Sequence, residues 1–498
     1  MQGEPLANPV NLSFVNTVNA ARGHERLLIV GSAARIEKDG HKLAPELSDE
    51  VWAALTKDLT PGDTGSSRTT YTGTKGTERV TICVLPKGAS RHCSPSRSHF
   101  VHDLVGSNSG GDGDLGIICL LDDNDHAFAT GLACARPFPL FDTKTQSGKT
   151  SKKKTTSRTA HIALVGPKSV LKPNTRIVEG ANSVRLTARL VDSPCAVINT
   201  TTFTAEAKAV AKETGTKIRV IKGETLRDQG FGGLWNVGKG AEEPPALVIM
   251  TYTPEKMTKK TKHVVWVGKG MVYDTGGLNI KVGGHMAGMK TDMGGAAAML
   301  GAFRAAALAG VKQKVTALLC LAENAVDAAS YRPDDIITHY SGKTVEVDNT
   351  DAEGRLVMAD GLGYAAKKLN PDYIVDMATL TGAQLVATGK RHAALYCNDG
   401  DLEEMTMKAG RYSGDLAHPL PYAPEFFRKD YKSAVADLRN TTKDRMNASS
   451  ASAGQFLKEH LVDFEGPHLH VDIAGPCSGP DRATGYGVGL LLEMLERS

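Results

Sequence analysis

No run of about 18 consecutive apolar residues occurs in this 498-residue chain, so no membrane-spanning helix and no membrane partner are expected. The opening "MQGEPLANPVNLSF" lacks the basic and then apolar regions of a secretory signal. Eight cysteines are scattered without a C-x-x-C, which argues against a thiolate zinc site or a disulfide framework. Several sit inside apolar runs, as in "GIICLL" (116–121), and read as buried reduced thiols. The expectation is a cytoplasmic protein. An "NTT" at 199–201 fits a glycosylation acceptor but has no secretory context to support it.

Several catalytic patterns are also missing. Neither H-E-x-x-H nor G-x-S-x-G appears, which leaves no support for a zincin helix or a nucleophile elbow. "GDGDLG" (111–116) precedes an apolar strand, whereas a dinucleotide fingerprint must follow one. "GLWNVGKG" (233–240) resembles a phosphate loop but has glycine where a metal-binding Ser or Thr is needed. The net charge of +4 is mild for a nucleic-acid binder. The basic stretch at 143–159 reads as a solvated loop, and no nucleic-acid partner is expected.

What is present is the pattern of a globular α/β protein. Hydrophobic residues make up 41% and charged residues 23%, and the length exceeds one ordinary core. Apolar, β-rich runs recur from "RLLIVG" (26–31) to "LHVDIAG" (469–475), with helical patterns such as "GGAAAMLGAFRAAALAG" (294–310) between the later ones. The expected architecture is a smaller N-terminal α/β domain over 1–165 and a linker over 166–185. A larger C-terminal α/β domain follows over 186–498, with a mixed central sheet flanked by helices.

Charge is concentrated in two unusual segments. "NTDAEGRL" (349–356) places Asp351, Glu353 and Arg355 at alternate positions. One reading is local: Thr350-x-x-Glu353 has the form of a capping box, and Asp351 and Arg355 form a surface pair. The other is that both carboxylates meet one metal ion. The second segment, "GKGMVYDTGGLNIKVGGHMAGMKTDMGGAAAML" (268–300), holds Lys269, Asp274, Lys281 and Asp292 among glycines and small residues. Four converging carboxylates stay ionised only beside positive charge, and two divalent cations balance them. Oxygen donors suit Zn, Mn or Mg.

The segments "VGKGMVYDTGGLNIK", "MKTDMGGAAAM" and "NTDAEGRL", with "DMATLTGA" (376–383), "SAVADLRN" (433–440) and "HVDIAG" (470–475), resemble those of the leucine (cytosol) aminopeptidase family of dinuclear metallo-exopeptidases, animal branch. The likeness runs from about 184 to 498 and is only loose over the first 165 residues. It implies a metal-dependent aminopeptidase that releases leucine and similar N-terminal residues from peptides. Asp274 and Glu353 would bridge two metal ions, Lys269 and Asp292 would complete the tighter site, and Asp351 the exchangeable one. Lys281 would stabilise the gem-diolate, and Arg355 would hold a bicarbonate general base. Met289, Asn349, Thr379, Leu380, Gly382 and Ala474 would line the substrate cleft. The resemblance also implies a homohexamer. Tyr273, Thr291 and Cys477 depart from the family's usual residues without removing a ligand, which bears on side-chain preference. The rival readings are a catalytically silent binding homologue and a dinuclear phosphoesterase; the latter predicts a histidine cluster that these segments lack.

Overall fold

The computed structural model describes residues 9–74, 76–144, 158–444 and 446–498. Most of the basic stretch at 143–159 therefore lies outside the described residues. The chain divides into two compact units, one of residues 1–185 with 410–416, the other of 186–409 with 417–498. The division falls inside a helix, Thr175–Asp192, which begins within the segment read from sequence as a linker.

The first unit is built on six strands: β1 (Asn11–Val15), β2 (Arg26–Gly31), β3 (Ser66–Tyr71), β4 (Arg79–Val84), β5 (Leu115–Leu120) and β6 (Thr159–Val165). Their order is β1-β6-β5-β2-β4-β3, parallel throughout except for the β3–β4 pair. The central strands β2 and β5 are buried along their whole length, which is why they read as continuous apolar runs and not as alternating ones.

The second unit carries an eight-stranded mixed sheet. Its strands are β7 (Lys217–Lys222), β8 (Ala246–Tyr252), β9 (His263–Asp274) and β10 (Lys314–Asn324), then, after the short β11 (Ile336–Thr338) and β12 (Thr344–Glu346) of a separate small sheet, β13 (Tyr373–Ala378), β14 (Ala393–Cys397), β15 (Ala417–Pro419) and β17 (His468–Asp472). The small sheet is completed by β16 (Leu438–Arg439). In the large sheet the order is β15-β14-β17-β13-β9-β10-β8-β7, and β17, β13, β9 and β10 are mutually parallel. Their carboxyl ends therefore share one edge, the place where open α/β sheets present functional groups. The mixed α/β architecture expected from the sequence is the one observed.

Small residues let a helix press against that edge. A Cβ at Gly295 would lie 2.0 Å from the Met377 carbonyl oxygen, and one at Gly268 would lie 2.7 Å from Ala296 Cα. The helix Gly294–Ala309, almost entirely buried, can thus lie directly on β9 and β13. This close approach fixes the position of the turn Met289–Met293, which leads into the helix and carries Asp292.

Candidate metal centre

Six charged side chains meet at the carboxyl edge of the large sheet. Lys269 and Asp274 stand on β9, Lys281 on the loop that follows, Asp292 on the turn before the small-residue helix, and Asp351 and Glu353 just ahead of the helix Gly354–Lys368. The Lys269 Nζ lies 2.8 Å from Asp292 and 3.0 Å from Glu353. The Lys281 Nζ lies 2.8 Å from Asp274 and 2.5 Å from Asp351. Oxygens of Asp274, Asp351 and Glu353 all fall within 4.8 Å of one another.

Local structure brings them together. Asp274 accepts hydrogen bonds from the Gly276 amide at 2.9 Å and from Asn324 Nδ2 at 2.8 Å. Gly276 and Gly277 have φ of +86° and +63°, and a Cβ at Gly276 would stand 2.9 Å from an Asp351 oxygen. The "TGG" turn is therefore required both for its dihedrals and for clearance. Thr350 does not form the capping box. Its hydroxyl donates to the Gly276 carbonyl at 2.6 Å and accepts from the Asn279 amide at 2.8 Å. The helix begins at Gly354 with Glu353 already in helical geometry and without a side-chain cap. A bond to a neighbouring loop has taken the place of the local one.

Arg355 is not a surface residue. It is buried, with Nη1 donating to the Tyr431 hydroxyl at 3.1 Å and to the Asn440 carbonyl at 2.9 Å. Asn440 in turn accepts from the Asp348 amide and donates to the Asn349 carbonyl. Asn349 uses its own Oδ1 to hold the Asp351 amide at 2.9 Å. Thr379 contributes its carbonyl to Lys269 at 3.0 Å and its hydroxyl to Asp292 at 2.8 Å. Leu380 and Ala474 both donate their amides to Asp472, at 3.0 and 3.3 Å. Met289 opens the turn that bears Asp292, and Gly382 opens the helix Gly382–Ala387 facing open space.

Sequence reasoning missed Asn324, Tyr331, Asn440 and Asp472. Asn324 joins Asp274 to the Thr350 carbonyl, and the Tyr331 hydroxyl donates to that same carbonyl at 2.6 Å. Asn324 sits at the end of a parallel strand, and Asn440 and Asp472 lie in "SAVADLRN" and "HVDIAG". Those positions were the available signal.

The electrostatics are severe. Burial opposes the positive charge of Lys269, yet Asp292, Glu353 and Asp274 outweigh it and raise its pKa above the ordinary lysine value. Lys281 is raised in the same way, burial being overcome by Asp274 and Asp351. Burial, reinforced by Asp274, pushes Glu353 up to about 8, while burial against the pull of Lys269 leaves Asp292 at about 6. Four carboxylates face two ammonium groups, so the cluster is short of positive charge. Asp292 Oδ2 and Glu353 Oε2 are buried without a hydrogen-bond partner among the described residues. Four carboxylates with unsatisfied buried lone pairs and excess negative charge, beside the Lys269 nitrogen, fit divalent cations.

A family model described as "Cytosol aminopeptidase family, catalytic domain" matches residues 185–492, and one described as "M17 aminopeptidase N-terminal domain 2" matches 25–147. The chain belongs to the cytosol aminopeptidase family. Its N-terminal likeness to the family is thus more definite than the sequence alone suggested. It is 46% identical over 464 residues to the mouse protein named "Probable aminopeptidase NPEPL1", covering 92% of this chain and 86% of that one. The leucyl aminopeptidase of Leishmania major, solved with actinonin, superposes with a TM-score of 0.90 at 35% identity, covering 99% of this chain and 95% of that one. The bottromycin maturation enzyme BotP, solved with Mn, gives a TM-score of 0.75 at 26% identity, covering 95% of this chain and 99% of that one. As a member of this metal-dependent family the chain is an aminopeptidase, a hydrolase, and the six-residue cluster is its candidate metal site. No helix among the described residues is long and apolar enough to cross a membrane.

Proposed function

We propose that the chain releases leucine and similar residues from the free N-terminus of peptides, using the cluster around Lys269 and Asp274 as a two-cation centre. The observation that carries this reading is the convergence of Asp274, Asp292, Asp351 and Glu353 with two lysines at one sheet edge. Asp274 and Glu353 would be shared between two divalent ions. Lys269 and Asp292 would complete one site, and Asp351 with its backbone carbonyl the other. Zinc is the expected ion, with Mn or Mg at the exchangeable position. Bound there, such cations supply Lewis acidity that activates water at neutral pH.

The chain's own residues supply the rest. Lys269, with only 3% of its side chain exposed, would hold an ion through its neutral amine. Lys281 has 14% exposed and remains the accessible ammonium. It stabilises the negative charge that develops on the scissile carbonyl oxygen, an interaction stronger in the transition state than in the ground state. Asp292, with one oxygen that has no hydrogen-bond partner among the described residues, would face the substrate's free amine, which restricts cleavage to N-terminal residues. Arg355, positioned by Tyr431 and Asn440, would hold a bicarbonate, which would supply a general base beside the leaving amine. The walls around Met289, Asn349, Thr379, Leu380, Gly382 and Ala474 receive the peptide.

The domain division at 1–165 and 186–498, cytoplasmic residence and assembly as a homohexamer belong to the same reading, supported by the family resemblance. The test is a comparison of leucyl anilide with N-acetyl-leucyl anilide. Cleavage of the first and at least about 100-fold slower cleavage of the second is expected; equal rates would sink the exopeptidase assignment.

A further inference from the structure

The large sheet carries a concentration of positive charge at the edge away from the metal-ligating carboxylates. β8 neighbours β10, and β10 neighbours β9, so the segment joining β8 to β9 passes the amino-terminal end of β10. That segment contains "EKMTKKTK" (255–262) and brings Lys256, Lys259, Lys260 and Lys262 there, all exposed. Lys312 and Lys314, at the start of β10, join them, and the Lys314 amide donates to the Lys262 carbonyl at 3.0 Å.

We propose that this edge docks on an anionic phospholipid surface and holds the protein there peripherally, with no spanning helix. Three observations argue for it.

The first is unbalanced charge. None of the six lysines has an ion-pair partner among the described residues, whereas lysines elsewhere in this unit do, as Lys343 has Glu459 and Lys408 has Glu404. The acids at this edge are Glu255, Asp372, which accepts the His263 amide, and the carboxylate of Ser498, whose hydroxyl accepts from Gln313. Six lysines against three acids leave +3 on one edge of a chain whose whole net charge is +4. An ordinary solvated face intersperses the two signs.

The second is that the segment is built to present these groups. The Thr258 amide donates to Thr261 Oγ1 at 2.8 Å, the Lys260 amide to Thr258 Oγ1 at 3.2 Å, and the Thr261 amide to the Thr258 carbonyl at 3.0 Å. The turn thus uses its own hydroxyls and leaves the ammonium groups of Lys259 and Lys260 to face outward. Met257, 54% exposed among the lysines, supplies an apolar side chain that can enter the boundary between headgroups and acyl chains.

The third is the kind of cation. Nucleic-acid readers rely on arginine forks and stacking aromatics, and 255–262 contains neither. Lysines act as compact point charges, and each one near a phosphatidylserine-rich surface strengthens attachment about fivefold. Lys262 and Asp274 lie at opposite ends of the 12-residue strand β9, roughly 35–40 Å apart, so docking leaves the carboxylate cluster clear of the surface.

The test sediments the full-length protein with vesicles of equimolar phosphatidylcholine and phosphatidylserine, and with vesicles of phosphatidylcholine alone. The natural chain should bind the first and not the second, and added salt should release it. Lys259→Glu with Lys260→Glu should weaken binding by at least about tenfold, with leucyl anilide hydrolysis unchanged. The control, Lys42→Glu with Lys57→Glu, makes the same change of charge on exposed residues of the first unit and should bind as the natural chain does. No binding to the anionic vesicles, or an equal loss in both double variants, overturns the proposal. Binding to duplex DNA without binding to vesicles overturns it too and assigns the edge to nucleic acid.

Discussion

Gly354 and Lys269 compete for the same space: a Cβ at position 354 would lie 2.4 Å from Lys269 Cε and 2.5 Å from its Nζ. The glycine in "NTDAEGRL" is therefore not there for a left-handed turn, since it opens a helix in ordinary geometry. It makes room for the buried lysine that reaches Asp292 and Glu353. Gly354→Ala should displace that ammonium by about 1 Å and lower kcat/KM by about 100-fold or more. Far-UV circular dichroism should stay unchanged. Wild-type kcat/KM in the folded variant would refute the steric argument.

Asn324 ties one carboxylate to the other segment, bonding both Asp274 and the Thr350 carbonyl. Removing such an outer partner commonly costs 10–100-fold in metal affinity. Asn324→Ala should weaken metal binding by about that factor, measured by competition with a chromophoric chelator. Its kcat at saturating metal should fall much less. An unchanged affinity would mean that Asp274 orients itself.

Arg355 is fixed by Tyr431 and Asn440 and is not among the proposed metal ligands. Arg355→Ala should keep its full complement of metal yet turn over about 100-fold more slowly, within the usual range for a lost proton carrier. Added bicarbonate should rescue the wild type after degassing but not the variant. Unchanged kcat would remove Arg355 from the mechanism.

The metal-binding segments and the α/β alternation were legible because glycines, acids and strand ends occur together in short stretches. The support was not. Asn324 reads as the polar end of a strand, and only the folded chain shows it beside Thr350. Thr350 had the local form of a helix cap, but Gly276 and Asn279, far away in sequence, supply better partners. Arg355 fitted a surface pair with Asp351 until Tyr431 and Asn440 covered it. Tertiary contacts decide each of these cases, and no short pattern encodes them.

Acid should weaken the second unit through His263. Burial, aided by Lys314, lowers its pKa from 6.5 to about 4. A histidine depressed in the folded state favours folding above the unfolded pKa, and this contribution is lost as pH falls toward the folded one. Between pH 7 and pH 5 the loss should reach at most about 2 kcal/mol. His263→Gln, which retains a donor for Thr316, should show a shallower fall of the unfolding midpoint over that window. Parallel profiles would assign the acid sensitivity elsewhere.

The most direct test strips the protein with a chelator and restores zinc or manganese, following leucyl anilide hydrolysis and the ions bound per chain together. The same count is made on a double variant, Asp274→Asn with Glu353→Gln. Activity should vanish and return with metal, and the natural chain should hold two more ions than the double variant. Equal ion counts, or full activity after complete removal of metal, would contradict the two-cation centre.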